Sequence, residues 1–329
     1  MSDDPIKPAL ARIKGRGAAT NREGRFEATR VEREDDGWFP EADLGATTRP
    51  ATTVTHERAR SIISRNDSPD IPFTQSINMF RGCEHGCFYC YARPTHSYLN
   101  LSAGLDFETR LTAKTNAAEQ LRIELARPGY VCSTINLGAN TDPYQPIERE
   151  QRLTRGIIEV LSECAHPLTI ITKNAMVERD LDLLAPMAEK QLVHVFLSVT
   201  SMDNMLSSKM EPRASAPHRR IAAIRRLHEA GIPVGVFVAP IIPMINDRDL
   251  EAVLEAAREA GARSASYTIV RLPHELKDLF REWLAVHYPD RAAHVLSLVQ
   301  QMRGGRDYVA DFKTRMRGEG VFAELIRRR

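Results

Sequence analysis

From about residue 72 onward, two patterns of apolar and polar positions alternate along the chain. Short β-branched or apolar runs read as strands: FTQSINMF (73–80), VCSTINLG (131–138), LTIITK (168–173), VHVFLSVT (193–200), VGVFVAP (234–240) and SASYTIVRL (264–272). Between and after them, apolar residues three and four apart predict amphipathic helices over 110–126, 151–164, 178–190, 217–231 and 247–261. The glycines of EAGIP (229–233) and EAGARS (259–264) mark helix ends feeding the next strand. Strand then helix, over six strands, predicts an α/β fold with a parallel sheet and helices outside it. Near-continuous apolar strands fit a sheet buried on both faces. Six units suit a doubly wound sheet or a partial, TIM-like (β/α)6 barrel. Both gather chemistry at the C-terminal ends of the strands.

Residues 1–70 lack this rhythm. They are glycine-rich, mix both charge signs, and are expected to form an irregular or partly disordered arm that Trp38 and Phe39 pin locally. Residues 71–275 are expected to be the core domain. Residues 276–329 are expected to add two helices and a basic, partly helical tail.

Composition narrows the class. The chain has 329 residues, 43% hydrophobic and 27% charged, which is ordinary for a globular protein with a sizeable core. VGVFVAPIIPMI (234–245) is the longest apolar run, and its length and prolines suit a buried strand better than a membrane span. The start, MSDDPIKPAL, has no basic-then-apolar leader pattern, so a cytoplasmic location with reduced thiols is expected. A net charge of +2 does not argue for nucleic acid. Arginines of the arm and the terminal Arg327, Arg328 and Arg329 leave nucleic acid as a possible but unsupported partner.

The chemistry is concentrated in RGCEHGCFYCYARPTH (81–96), which holds three of the five cysteines: Cys83, Cys87 and Cys90. A structural zinc site takes four ligands, and so does a cubane cluster that only transfers electrons. Three cysteines therefore leave two options: a zinc completed by His85 or His96, or a [4Fe–4S] cluster with one open iron. An open position is what catalysis at a metal requires. The loop follows the first strand, at the end where this architecture places its active site. Gly82 and Gly86 let it fold tightly, and Tyr89 can lay its ring beside a bound planar group.

The segments GCEHGCFYCYARPTH and NTDPYQPIE (140–148) resemble the CxxxCxxC loop and second motif of the radical S-adenosylmethionine (SAM) superfamily, in its spore photoproduct lyase-like branch. The resemblance covers about residues 70–275. It implies a [4Fe–4S] cluster on Cys83, Cys87 and Cys90, with SAM chelating the fourth iron through its amino and carboxylate groups. One electron from the cluster then yields a 5′-deoxyadenosyl radical that takes hydrogen from an unknown substrate. It also implies a one-electron donor such as flavodoxin or ferredoxin. The competing class is a non-radical iron–sulfur or zinc protein that binds nucleic acid.

Successive strand ends supply a SAM shell. Thr141 or Asp142 can accept from the SAM ammonium, or belong to a plain Asn-Thr-Asp-Pro turn. The familiar Gly-Gly-Glu-type motif is not matched there. Lys173 matches by position a lysine that reaches the SAM carboxylate in the lyase branch, or is a solvated loop lysine. Ser198 and Thr200 share a strand face and suit the ribose diol. Arg213 can hold the methionyl carboxylate or pair with Glu211 at a helix entry. Ala239 can border the adenine. Cys132 and Cys164 read as buried small hydrophobes. The lyase itself carries a hydrogen-donating cysteine near the end of its second strand, and NLGANTDPYQ (136–145) has none. The thymine-dimer repair reaction is therefore not carried over.

Overall fold

The computed structural model describes residues 12–26 and 50–329. Trp38 and Phe39 lie outside the described residues. Ten strands form two sheets: β1 (Thr53–Glu57), β2 (Ile63–Arg65), β3 (Gln75–Ile77), β4 (Phe80–Arg81), β5 (Arg110–Lys114), β6 (Ile135–Leu137), β7 (Leu168–Thr172), β8 (Val193–Ser198), β9 (Val234–Ile241) and β10 (Ser264–Ile269). The larger sheet runs β10-β9-β8-β7-β6-β3-β2. Its strands β3, β6, β7, β8, β9 and β10 are parallel neighbours, and only β2 runs antiparallel, beside β3. These six are the strands expected from the pattern, in sequence order. Among the described residues no ladder joins β10 to β2, so the sheet is an open, partial barrel.

The helices lie between the strands as expected. Pro217–Glu229 shows why: Arg220, Ala223, Ile224 and Leu227 are buried at spacings of three and four, with Pro217 at the first turn. The buried side chains of β7, β8 and β9, among them Ile170, Val195, Leu197, Val236 and Val238, fill one core. A second core gathers the late helices Leu276–His287 and Ala292–Gln301 through Leu279, Phe280, Trp283, Val295 and Val299. No helix among the described residues is long and apolar enough to cross a membrane.

Three expectations are corrected. The helix expected over 110–126 begins only at Ala117, because Arg110–Lys114 is β5, parallel to β1 and antiparallel to β4. Its inward residues alternate, Leu111 and Ala113 buried between more open neighbours, which is a strand period. Part of the N-terminal arm is therefore sheet: Thr53–Glu57 exists as a strand because β5 supplies its partner. Cys132 and Cys164 are exposed, not buried. The first precedes β6, where no ladder covers it, and the second caps the helix Leu153–Glu163 at the surface.

Candidate active site

The cysteine loop leaves β4 at the C-terminal end of the parallel sheet. Cys83 and Cys87 are buried, Cys90 is half-buried, and all three are free thiols. The loop is held by ties from elsewhere. Cys83 N donates to Phe107 O at 2.9 Å, and Phe88 N donates to Met210 O at 3.4 Å. Gln145, fully buried, brackets Cys83: its amide accepts from Glu84 N at 2.9 Å and donates to Gly82 O at 3.1 Å. Gly82 adopts φ +76°, and a Cβ there would stand 2.8 Å from Phe107 O.

Beneath the loop lies a buried ion pair. Arg93 donates Nε to Cys87 O at 2.8 Å, Nη1 to the carbonyls of Ala103 and Gly104 at 3.1 and 2.9 Å, and Nη2 to Glu108 at 2.5 Å. Both partners are fully buried, which such a pair tolerates only when its remaining donors and acceptors are satisfied. Glu108 also accepts from backbone far back in the chain: Gly17 N at Oε2, 3.0 Å, and Ala18 N at Oε1, the oxygen Arg93 holds, 2.9 Å. Residues 16–25 thus cross the loop as a strap. Arg16 donates to Glu108 O at 2.9 Å, Thr20 to Glu282 at 2.8 Å, and Arg25 to Glu275 at 3.0 Å. Gly17 lies so close to the loop that a Cβ would stand 1.6 Å from Gly86 O.

On the inner side, Glu211 is the hub. The Tyr89 hydroxyl and the Arg220 guanidinium both bond it, and Thr200 Oγ1 donates to it at 3.0 Å. Arg220, fully buried, also donates to Ser198 O at 2.8 Å and Ser215 O at 2.6 Å. Burial acts to raise the Glu211 carboxyl, but Arg220 and Lys173 outweigh it and hold it below its ordinary value. Lys173 sits with its ammonium 5.9 Å over the Tyr89 ring. Burial acts to lower that amine, yet Cys87, Glu211 and Asp142 prevail and raise it, so it stays cationic.

The other expected residues take these places. Thr141 donates to Phe80 O at 3.1 Å. Asp142 accepts from Tyr144 N at 2.9 Å, Thr172 Oγ1 at 2.6 Å and Lys173 N at 2.7 Å, with His85 Nδ1 at 3.3 Å. Both build the turn. Ala239 is half-buried and precedes Pro240 through a cis peptide. Arg213 does not pair with Glu211, which Arg220 occupies; it pairs with Glu84 at 2.8 Å. Arg93, Glu108, Gln145, Arg220 and the strap were not singled out by sequence reasoning. Gln145 and Arg93 do lie inside the two quoted motifs.

The donor set suits a metal centre. Burial pushes the Cys83 thiol well up and the Cys87 thiol up to about 12, and neighbouring thiols add to both shifts. Burial thus opposes their ionisation, and a cationic centre is what would stabilise them as thiolates. Among the described residues no three His, Cys, Asp or Glu side chains converge tightly enough to clasp a single ion. A cubane takes its thiolates on separate irons and asks for a wider spread. His96 Nε2 is taken up by Arg110 O at 3.0 Å.

Comparison with known proteins agrees with this geometry. A family model described as the radical SAM superfamily matches residues 77–257, more than half of the chain. An uncharacterized protein of Mycobacterium tuberculosis strain H37Rv is 37% identical over 233 residues, 70% of this chain and 68% of the relative. An uncharacterized protein of Methanocaldococcus jannaschii is 30% identical over 214 residues, 65% of this chain and 76% of the relative. Among solved structures, spore photoproduct lyase complexed with dinucleoside spore photoproduct superposes with a TM-score of 0.52 at 18% identity, over 72% of this chain and 66% of the lyase. The chain thus spans just under two thirds of that lyase, and the likeness is one of fold. With the three cysteines inside the matched residues and at the catalytic end of the sheet, the chain belongs to the radical SAM superfamily.

Proposed function

We propose that Cys83, Cys87 and Cys90 hold a [4Fe–4S] cluster and that SAM binds against it in the space bordered by Tyr89, Lys173, Glu211 and the end of β9. The observation that supports this most is the placement of three free thiols on one loop at the C-terminal end of the first parallel strand, two of them buried. A cluster held by these three cysteines would supply the single electron for reductive cleavage of SAM, chemistry that would provide a radical able to take hydrogen from a substrate. The chain's own residues bind and orient. Lys173, kept cationic by its anionic neighbours, is the partner we assign to the methionyl carboxylate. Ser198 and Thr200 form the ribose wall and Ala239 the adenine wall. Tyr89 is fixed by Glu211, so its ring keeps one orientation beside the cofactor. Thr141 and Asp142 shape the turn that faces the SAM ammonium. Arg213 and Glu84 close the outer edge. A low-potential one-electron carrier of the flavodoxin or ferredoxin type completes the system.

Anaerobic reconstitution tests this. The protein is expected to turn brown with about four irons and four sulfides per chain, and dithionite plus SAM is expected to release 5′-deoxyadenosine. Cys83→Ala, Cys87→Ala and Cys90→Ala each abolish that release, and Lys173→Met weakens SAM binding while keeping the iron. Colourless protein holding one zinc overturns the proposal.

A further inference from the structure

The strand end furthest from the cysteine loop in sequence carries an unusual group of cations. Arg303 is almost wholly buried. Its Nη1 donates to Thr314 O at 2.7 Å and its Nη2 to Val270 O at 3.0 Å, and its Nε has no partner. Arg271, two residues past β10, reaches Tyr308 Oη at 3.4 Å and Met316 Sδ at 3.6 Å, and its buried Nε is likewise unpartnered. Among the described residues neither guanidinium has a carboxylate partner. Asp70 is taken by Arg315 at 2.5 Å, and Glu319 is felt by Arg303 without forming an ion pair. Burial, then the charge of Arg271, lower Arg303 to about 10. Two unpaired like charges in a buried setting are costly unless something anionic completes them.

The neighbours place these cations in the fold. The Arg271 guanidinium lies 5.4 Å over the ring of Tyr91, the residue after Cys90, and the Tyr91 hydroxyl is fixed on Ala139 O. Tyr267 on β10 has a buried hydroxyl without a partner, and the Arg317 guanidinium covers its ring at 4.0 Å. The unsatisfied Arg271 donor is therefore beside the cysteine loop, against the residue that follows Cys90.

We infer that Arg271 and Arg303 form a binding site for an oxyanionic group of the substrate, held next to the cysteine loop with Tyr91, Tyr267 and Tyr308 around it. The inference rests on the reading of that loop as the reaction centre. The Arg271 guanidinium together with the free Nε of Arg303 suits a phosphate, whose charge can reach two; a carboxylate can take the same donors with a single charge.

The test is calorimetric titration of the full-length chain with inorganic phosphate and, separately, acetate. The variants are Arg271→Met, Arg303→Met and the control Arg58→Met, an exposed residue paired with Glu119. Saturable binding of phosphate, acetate or both is expected, weakened about tenfold or more by Arg271→Met, the factor expected for one lost charge-assisted pair. Arg58→Met leaves it unchanged. The anion that binds more tightly identifies the substrate group as phosphoryl or carboxylate. Arg303→Met also removes two carbonyl ties and can unfold the region, so Arg271→Met decides. Absence of saturable binding, or equal binding by Arg271→Met and wild type, overturns the inference. Wild-type SAM cleavage without added substrate reads the cluster proposal separately, so the two can fail independently.

Discussion

The strap offers the sharpest structural prediction, through Gly17→Ala. A Cβ at this position would stand 1.6 Å from Gly86 O, 2.8 Å from Gly86 C and 3.2 Å from Phe88 N. All three are backbone atoms of the cysteine loop, so no side chain can rotate away. An ordinary carbon–oxygen contact needs about 3.3 Å, and the strap must therefore lift. Lifting stretches the bonds from Gly17 N and Ala18 N to Glu108, now 3.0 and 2.9 Å. A bond to a charged acceptor is worth about 1.5–3 kcal/mol, so the expected loss is about 3–6 kcal/mol. Urea unfolding of the metal-free chain, followed by circular dichroism, reads that loss. In the reconstituted protein the variant should also bleach faster in air, because Gly86 lies between two of the proposed ligands. Gly104→Ala approaches the same strap from the other side, its Cβ meeting Thr20 O at 2.0 Å. If both variants unfold within about 1 kcal/mol of wild type, an ordinary effect for a surface change, the strap does not seat on the loop.

Other consequences follow from the ties around the loop. Arg93→Met leaves Glu108 buried with a charge and only backbone partners, and should cost about 3–5 kcal/mol in urea unfolding; a loss under about 1 kcal/mol contradicts the buried pair. Burial acts to raise the Asp142 carboxyl, but His85, Thr172 and Lys173 N outweigh it and lower it from 3.8 to about 2. That shift contributes about 2 kcal/mol of stability, fully present above about pH 4 and lost as pH falls toward 2. Asp142→Asn should therefore flatten the acid side of the stability profile, and a profile parallel to wild type refutes the assignment. Trp283→Ala removes a ring stacked on Phe88 at 3.8 Å and a bond to Lys209 O at 3.0 Å. It should cost about 3–5 kcal/mol and shorten cluster retention after reconstitution; unchanged retention would detach the late helices from the loop.

The parallel strands and most helices were legible because their apolar residues follow one period for many positions. Segment 110–114 was not. Leu111 and Ala113 alternate over too few residues to outweigh the helix-forming run that begins at Ala117, and the strand exists only because β1 and β4 pair with it. The cysteine loop was legible from spacing alone, since three thiols at short intervals have few other uses. Its supports were not, because their partners are remote. Nothing in the sequence says that Glu108 answers both Arg93 and the backbone of Gly17. The Arg213 expectation shows the same limit from the other side. Its nearest acid in sequence, Glu211, is taken by Arg220, seven residues further on, because the helix Pro217–Glu229 turns Arg220 inward.

A regularity at the strand ends explains how so short a loop is held in place. A parallel sheet leaves backbone groups unpaired where its strands stop. Here short polar side chains bridge the stops of β3, β6, β7 and β9 to a neighbouring strand's loop. Asn78 after β3 accepts from Asn140 N at 3.0 Å, beyond β6. Asp142 accepts from Lys173 N at 2.7 Å, beyond β7. Asn174 accepts from Ser215 Oγ at 3.1 Å, in the segment after β8, while Lys173 O accepts from Ser215 N at 3.2 Å. Asn246 after β9 donates to Thr200 O at 2.7 Å and Pro240 O at 3.0 Å. The first three bridges reach forward around the rim from the cysteine loop, Asn246 reaches back from beyond β9 to the end of β8, and the candidate cofactor residues Thr141, Asp142, Lys173, Thr200 and Ala239 are the bridged residues or their immediate neighbours. Rim satisfaction and cofactor positioning thus draw on the same residues. A change at Asp142 or Asn246 is therefore expected to disturb two strand ends together, whereas the end after β10 is tied by Val270 N to Ile241 O at 3.0 Å and by Arg303 to Val270 O at 3.0 Å, and there the Nε groups of Arg271 and Arg303 remain as donors for a ligand.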